Sequence, residues 1–234
     1  MRQVPRYLIV GNGRVARHFS HYFSLLHIPF LAWNRADSLE VLQESVKRVS
    51  YILLLISDRA IDSFVSTYLA DSRATCIHFS GSLFTEKAIG AHPLMTFSTE
   101  LYSLEEYQSI PFVIDEHAPS ILSELPNTQV RLSPDVKARY HALLVLAGNF
   151  SCLLWQKLFS EFKNTLHLPL EITHPFLKQQ MQNLITHSEN ALTGPLVRGD
   201  EVTLQKNIDA LEGDPFQEVY RSFITCYKKM KETT

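Results

Sequence analysis

The sequence predicts an α/β protein: a doubly wound, mostly parallel sheet in the N-terminal half, followed by an all-helical C-terminal half. Three observations carry this expectation. Between Tyr7 and about Arg131, short β-rich apolar runs (YLIV, IPFLAW, YILLLIS, ATCIHFS, PFVID and TQVRL) alternate with segments of helical pattern. The runs are continuous rather than alternately polar and apolar, as strands covered on both faces are. After Arg131 no further strand is convincing, and apolar residues recur at helical spacing. Two domains are therefore expected, 1–132 and 133–234.

The first strand, YLIV, runs directly into GNGRVA. Gly11, Gly13 and Ala16 form the G-x-G-x-x-A pattern of a dinucleotide-binding turn, in which pyrophosphate rests on the free N–H groups of a helix N-terminus. The motif is weak alone, but it stands here after a strand, at the opening of a helix and near the start of a βαβ unit. This makes the N-terminal half Rossmann-like, with Gly11, Asn12, Gly13, Arg14 and Val15 as candidate cofactor contacts. A tight turn without a ligand is the plainer alternative.

The second strand ends in Asn34-Arg35, where an NAD enzyme would place a carboxylate on the adenosine ribose. Arg35 can instead pair bidentately with a 2′-phosphate, which points to NADP(H); Asp37, two residues on, keeps NAD(H) open. The later loops add Ser57 and Asp58 after YILLLIS, with Asp58 able to cap a helix through Leu69, and Ser80 and Gly81 after ATCIHF. Ser103 and Glu106 fit a capping box. HPL, with His92 before Pro93, reads as the start of another loop at the same sheet edge.

Ser133-Pro134 marks a helix start, and the stretch that follows, to about Phe162, is apolar nearly all round in LLVLAGNFSCLLW. A homodimer through the helical half is expected from it. Lys137, His141, Val145 and Asn149 fall four apart and share one face. Later helices are expected over 171–188, over 200–212 with Asp200 capping and Gly213 stopping, and from Asp214-Pro215 to the end.

A formal net charge of −2 at pH 7 and a pI near 6.5, without a basic run, argue against nucleic acid as a partner. Cys76, Cys152 and Cys226 lie far apart with no C-x-x-C. They suggest neither a disulfide framework nor a metal site, and a reducing cytoplasm suits them. The apolar run near the N-terminus is too short for a signal sequence, and no segment approaches the roughly 18 apolar residues of a membrane span.

Proton donors come from imidazole, whose ordinary pKa suits the task near neutral pH: His92 and His141 are the candidates, with Asn149 to orient a carbonyl if its face looks into a cleft between the halves. In HSENALTGPLVRGD, Asn190, Thr193 and Arg198 stand among turn-forming glycines and a proline, and Arg198 can clamp a carboxylate. An interhelical corner held by Arg198 and Asp200 is the alternative.

GNGRVA, HFSGS, HPLMTF, YHALLVLAGNF and above all ALTGPLVRGD resemble a family of Rossmann-like NADP-binding proteins with a helical C-terminal domain of formerly unknown function, marked by an L-T-G-P-x-x-R-G-D motif. The resemblance covers nearly the whole chain. It places the chain near the 6-phosphogluconate-dehydrogenase-like group and implies an NADPH-dependent reductase of a small 2-oxo acid. The most specific form is 2-dehydropantoate (ketopantoate) 2-reductase of pantothenate and coenzyme A synthesis. A prephenate-dehydrogenase-like or pyrroline-carboxylate-reductase-like enzyme and a non-catalytic NADP(H)-binding module are the alternatives. The chain departs from the larger group's helical K-x-x-x-N, carrying Val145 in the lysine's place. It also has Lys206-Asn207 where family members often show a histidine.

Overall fold

The computed structural model describes residues 6–232. The expected absence of a leader, which concerns the N-terminus, falls in part outside them. Two compact units are distinguished, the first running to Trp155 and the second from Gln156.

The first unit is built on a seven-stranded sheet. Its elements are β1 (Tyr7–Val10), α1 (Arg14–Leu25), β2 (Phe30–Trp33), α2 (Leu39–Val46), β3 (Tyr51–Leu54), α3 (Asp58–Tyr68), β4 (Thr75–His78), β5 (Ile89–Pro93), α4 (Leu104–Ser109), β6 (Phe112–Asp115) and β7 (Gln129–Leu132). The strand order is β2-β1-β3-β4-β5-β6-β7. β1 to β5 are parallel, β6 runs antiparallel to β5, and β7 runs parallel to β6. Chain order reverses between β1 and β3, so the C-terminal ends of those strands flank the switch point at which such sheets bind ligands.

Each face of the sheet has its own core. Leu8, Val10, Ile52 and Leu54 pack with Leu42 of α2 and with Ile61 and Val65 of α3. Tyr7, Ile9, Leu53 and Ile77 pack on the other face with Phe19, Tyr22 and Phe23 of α1 and Tyr107 of α4. Alternate residues of one strand thus enter opposite cores, which is why both sets had to be apolar. The doubly wound α/β expectation holds.

Some local readings are corrected. His92 and Pro93 lie in a strand, β5, rather than a loop: IGAHP has poor strand composition, yet it is paired with β4 on one side and β6 on the other, with Pro93 at its last position. Asp58 does not cap α3. Ser57 is the N-cap, and Asp58, in the first turn, turns its carboxylate to the Ser80 hydroxyl. Ser133 and Pro134 do start the helical stretch as expected, as N-cap and first residue of a 3-10 turn, Pro134–Val136, but Ser133 makes no side-chain cap hydrogen bond. The capping box is present as expected, with Ser103 accepting from Glu106 N–H and Glu106 from Ser103 N–H.

After β7 come α5 (Lys137–Leu144), a π-helical segment (Val145–Phe150) and α6 (Ser151–Asn164). The π segment winds more than four residues per turn, so the four-residue spacing from Lys137 to Asn149 does not keep one face. Asn149 is exposed, as are Leu143, Leu146, Phe150 and Leu153. The helix Pro134–Asn164 is long enough and, over an 18-residue window with a mean hydropathy of 1.4, apolar enough to cross a membrane by length and composition. That corrects the reading that no segment approaches a span.

The second unit contains α7 (His174–Thr186), preceded by a 3-10 turn at Leu170–Thr173, then the short α8 (Pro195–Arg198), α9 (Glu201–Asp209) and α10 (Phe216–Glu232). Asp200 caps α9 through Thr203 N–H (3.0 Å) and the Thr203 hydroxyl (2.7 Å), as expected. Lys157 pairs with Glu161 at 2.6 Å and with Asp214, and its ammonium lies 5.6 Å from the Phe216 ring centre.

Candidate functional site

The turn after β1 is shaped by two glycines with different needs. Gly11 has φ of 124°, and a Cβ there would strike the Leu55 carbonyl, so the fold itself demands glycine. Gly13 is the N-cap of α1 at an ordinary φ of −69°, and a Cβ there would meet nothing within 4 Å. Protein packing therefore leaves Gly13 free to be another residue. What the missing side chain preserves is open space over a helix N-terminus that has neither a side-chain cap nor a carboxylate in its first turn. That is a setting for an anion.

The space belongs to a cleft of about 320 Å³ lined by Gly13, Arg14, Val15, Asp58, Ser80 and His92, with Leu55, Phe79, Met95 and Phe97 among its apolar walls. One cleft thus joins the glycine turn, two later loops and a histidine. A larger cleft of about 500 Å³ is lined by Thr75 and Ile89, which begin β4 and β5, and lies at the opposite sheet edge. Arg14 anchors the far wall of the first cleft by donating to the Phe97 carbonyl (3.2 Å). Ser80 Oγ donates to Asp58 and accepts from Ser82 and Leu83 N–H at 3.3 and 3.0 Å, which fixes the Ser80-Gly81 turn.

At the end of β2, Asp37 is taken up by the loop: its Oδ2 accepts from the Asn34 backbone N–H (2.8 Å) and side-chain amide (2.9 Å), and Asn34 Oδ1 accepts from Ala36 N–H. Arg35 is exposed and, among the described residues, has no hydrogen bond or ion pair. Trp33, buried beside this loop, donates its indole N–H to the Ser38 carbonyl.

The two histidines come together across a glycine. A Cβ on Gly81 would lie 2.5 Å from His141 Cδ2 and 3.1 Å from His92 Nε2, so only glycine lets both rings close in. The rings stand 6.3 Å apart between centres. His92 Nδ1 is hydrogen-bonded to the Tyr140 hydroxyl at 2.8 Å. Burial above all, then the neighbouring His141 and Lys137, pushes the His92 pKa down to about 4. The Tyr140 phenol is raised by burial. At neutral pH the couple is an uncharged imidazole and an uncharged phenol, able to pass one proton along its hydrogen bond.

Of the two expected donors, only His92 is among the residues lining the cleft. Sequence reasoning overlooked Tyr140, and it saw Lys137 only as a point on a helical face. Lys137 is buried and pairs with Asp115 at 2.7 Å. The signal that could have exposed this pair is Gly90, a glycine inside a strand, which marks a close approach.

Asn190, Thr193 and Arg198 lie in the second unit and are exposed. They border a tight corner in which Gly194 and Gly199 take φ of 93° and 67°. The Asp200 carboxyl is held below its usual range by its Thr203 hydrogen bonds, with Arg198 adding a smaller pull.

Residues 114–225 match the model of a domain of unknown function, DUF2520. None of the curated proteins matches the chain. Among solved structures the chain is similar to BF3122 of Bacteroides fragilis, provisionally named an NADP oxidoreductase, with a TM-score of 0.77 at 17% identity over 97% of this chain and 98% of that one. It is similar to protein TM1727 of Thermotoga maritima, with a TM-score of 0.67 at 20% identity over 97% and 98%. A reductive aminase of Aspergillus terreus, solved with NADPH and ethyl-5-oxohexanoate, gives 0.63 at 12% identity over 99% and 95%. At such identities the likeness is one of fold, and it establishes this chain as an α/β Rossmann-like N-terminal domain followed by a helical C-terminal part.

Proposed function

We propose that the protein is an NADPH-dependent oxidoreductase that reduces a small 2-oxo acid, most specifically 2-dehydropantoate to pantoate. The observation that carries this reading is the single cleft joining the open Gly13 helix terminus to His92. Pyrophosphate would lie on the N–H groups of Gly13, Arg14 and Val15, with Asn12 and Gly11 shaping the turn. Asn34 would border the adenosine end, where Arg35 would take the 2′-phosphate. Ser57, Asp58, Ser80 and Gly81 would border the nicotinamide side, where the Asp58 carboxylate suits a ribose hydroxyl better than a phosphate.

The cofactor supplies hydride when bound. The chain's own contribution is to exclude water and to hold a proton at the His92–Tyr140 couple, with His141 behind it. The developing alkoxide would take the Nε2 proton of His92 as the Tyr140 hydroxyl proton passes to Nδ1, leaving a phenolate that water reprotonates, and a donor already in place lowers the barrier. Asn149, Asn190 and Thr193 remain candidates for orienting substrate and Arg198 for its carboxylate. The fold similarity to oxidoreductases crystallised with NADPH and NAD+ supports the cofactor.

NADPH oxidation measured against 2-oxo acids and cyclic imines tests the reading. Turnover is expected with 2-dehydropantoate, with Arg35→Ala raising KM for NADPH by on the order of 10-fold or more while leaving NADH use unchanged, as loss of a charge-assisted pair implies. Turnover on imines alone would move the assignment to the reductive-aminase side. Binding of NADPH without turnover on any carbonyl or imine would leave a non-catalytic module.

The exposed apolar side chains of Leu143, Leu146, Phe150 and Leu153 support a homodimer through the helical segment that carries them. Sedimentation at micromolar concentration is expected to give twice the chain mass, and Leu146→Glu to halve it; a monomeric wild type would refute the dimer. The free thiols of Cys76, Cys152 and Cys226 suit a cytoplasmic location.

A further inference from the structure

A buried ion pair sits directly below the His92–Tyr140 couple. Lys137 opens α5 almost wholly buried, the residue 4% exposed, and donates to Asp115 Oδ1 at 2.7 Å. Asp115 Oδ2 accepts the Gly90 backbone N–H at 2.6 Å. A Cβ on Gly90 would collide with Lys137 Nζ and lie 2.8 Å from Asp115 Oδ2, so the strand has given up a side chain to admit the pair. Buried ion pairs of this kind add little net stability over an apolar filling of equal volume. Packing alone does not explain a pair that imposes glycine on a central strand.

We propose that the Lys137–Asp115 pair is a positioning device that aligns the Tyr140–His92 couple for proton donation. The argument is one of matched spacing. From Gly90 to His92 is two strand residues, about 6.6 Å of rise; from Lys137 to His141 is four helix residues, about 6 Å. Fastening Lys137 at the level of Gly90 therefore brings Tyr140 and His141 to the level of His92. Both strand residues point to the same face, and residues three and four apart share a helix face. The Tyr140 hydroxyl and the His141 ring then meet His92, with Gly81 between the rings.

The pair also sets the local charge. Around His92 stand Lys137, Tyr140 and His141 of α5 and Asp58 of α3. Lys137 and His141 disfavour the imidazolium, and Asp58 opposes them. On β4, His78 is wholly buried, its Nδ1 receives the Ser80 N–H, and its Nε2 has no hydrogen-bond partner among the described residues. Burial, with Lys137 adding to it, pushes the His78 pKa down to about 4. One ammonium thus acts on both imidazoles.

The inference rests on the reading of His92 as proton donor, but its test needs no turnover. Histidine-labelled full-length protein is titrated by NMR. In the wild type the His92 resonances are expected to stay those of a neutral ring from pH 8 to 5. In Lys137→Gln, which keeps a donor for Asp115 and removes the charge, the His92 midpoint is expected to rise by about one pH unit with the Tyr140 hydrogen bond retained. In Lys137→Met/Asp115→Asn, which keeps an acceptor for Gly90 N–H, the midpoint rises and the Tyr140 hydrogen bond is lost. A His92 midpoint and hydrogen bond unchanged in both variants would overturn the proposal. Failure of the reductase reading shows separately, as absence of turnover in wild-type protein that binds NADPH.

Discussion

Gly13→Asp is expected to weaken NADPH binding by on the order of 100-fold while leaving the fold as stable as before or slightly more so. The opposite signs are what make the result informative. The N-cap is the best position on a helix for aspartate, whose carboxylate accepts the first free N–H groups; replacing glycine there typically gains a few tenths of a kcal/mol. The φ of −69° suits any residue, and the Cβ meets nothing within 4 Å. Yet the same carboxylate would occupy the N–H groups assigned to pyrophosphate and repel its charge, a loss of about 3 kcal/mol. Thermal melting and NADPH titration of one preparation check both halves. Unchanged affinity would remove the dinucleotide from the Gly13 terminus. Gly11→Ala should instead cost stability, because its Cβ meets the Leu55 carbonyl.

Lys137→Met is expected to be among the most damaging single changes in the first unit, costing about 3–5 kcal/mol, because it leaves the Asp115 carboxylate buried and unpaired. For a protein of this size that corresponds to a fall in Tm of roughly 10 °C. Adding Asp115→Asn should restore most of the loss, since no charge then lacks a partner and Gly90 N–H keeps an acceptor. Urea unfolding of the single and double variants measures this. Additive losses would show that Lys137 and Asp115 contribute independently rather than as a pair.

The sheet was legible because its strands are covered on both faces, so YLIV and YILL announce themselves without alternation. β5 was not, because IGAHP spends its positions on other needs: Gly90 admits Lys137, His92 faces the cleft, and Pro93 ends the strand. The cofactor turn was legible because backbone demands at Gly11 and space at Gly13 restrict the residue type locally. Tyr140 and the Lys137–Asp115 pair were not, since each depends on partners more than 20 residues away. Asp58 was misread as a cap because a carboxylate after a strand fits that role equally well; its actual partner, Ser80, comes from the next loop.

The reversal of the last two strands has a consequence for how the protein can vary. Because β6 and β7 run against β1 to β5, the chain leaves the sheet at Leu132 on the edge remote from the cleft. The helix beginning at Lys137 must then climb back toward His92. Each residue inserted between Lys137 and His141 would raise the ring by about 1.5 Å and swing it by about 100°. Exposed loops elsewhere tolerate insertion, but here the number of residues is itself part of the site.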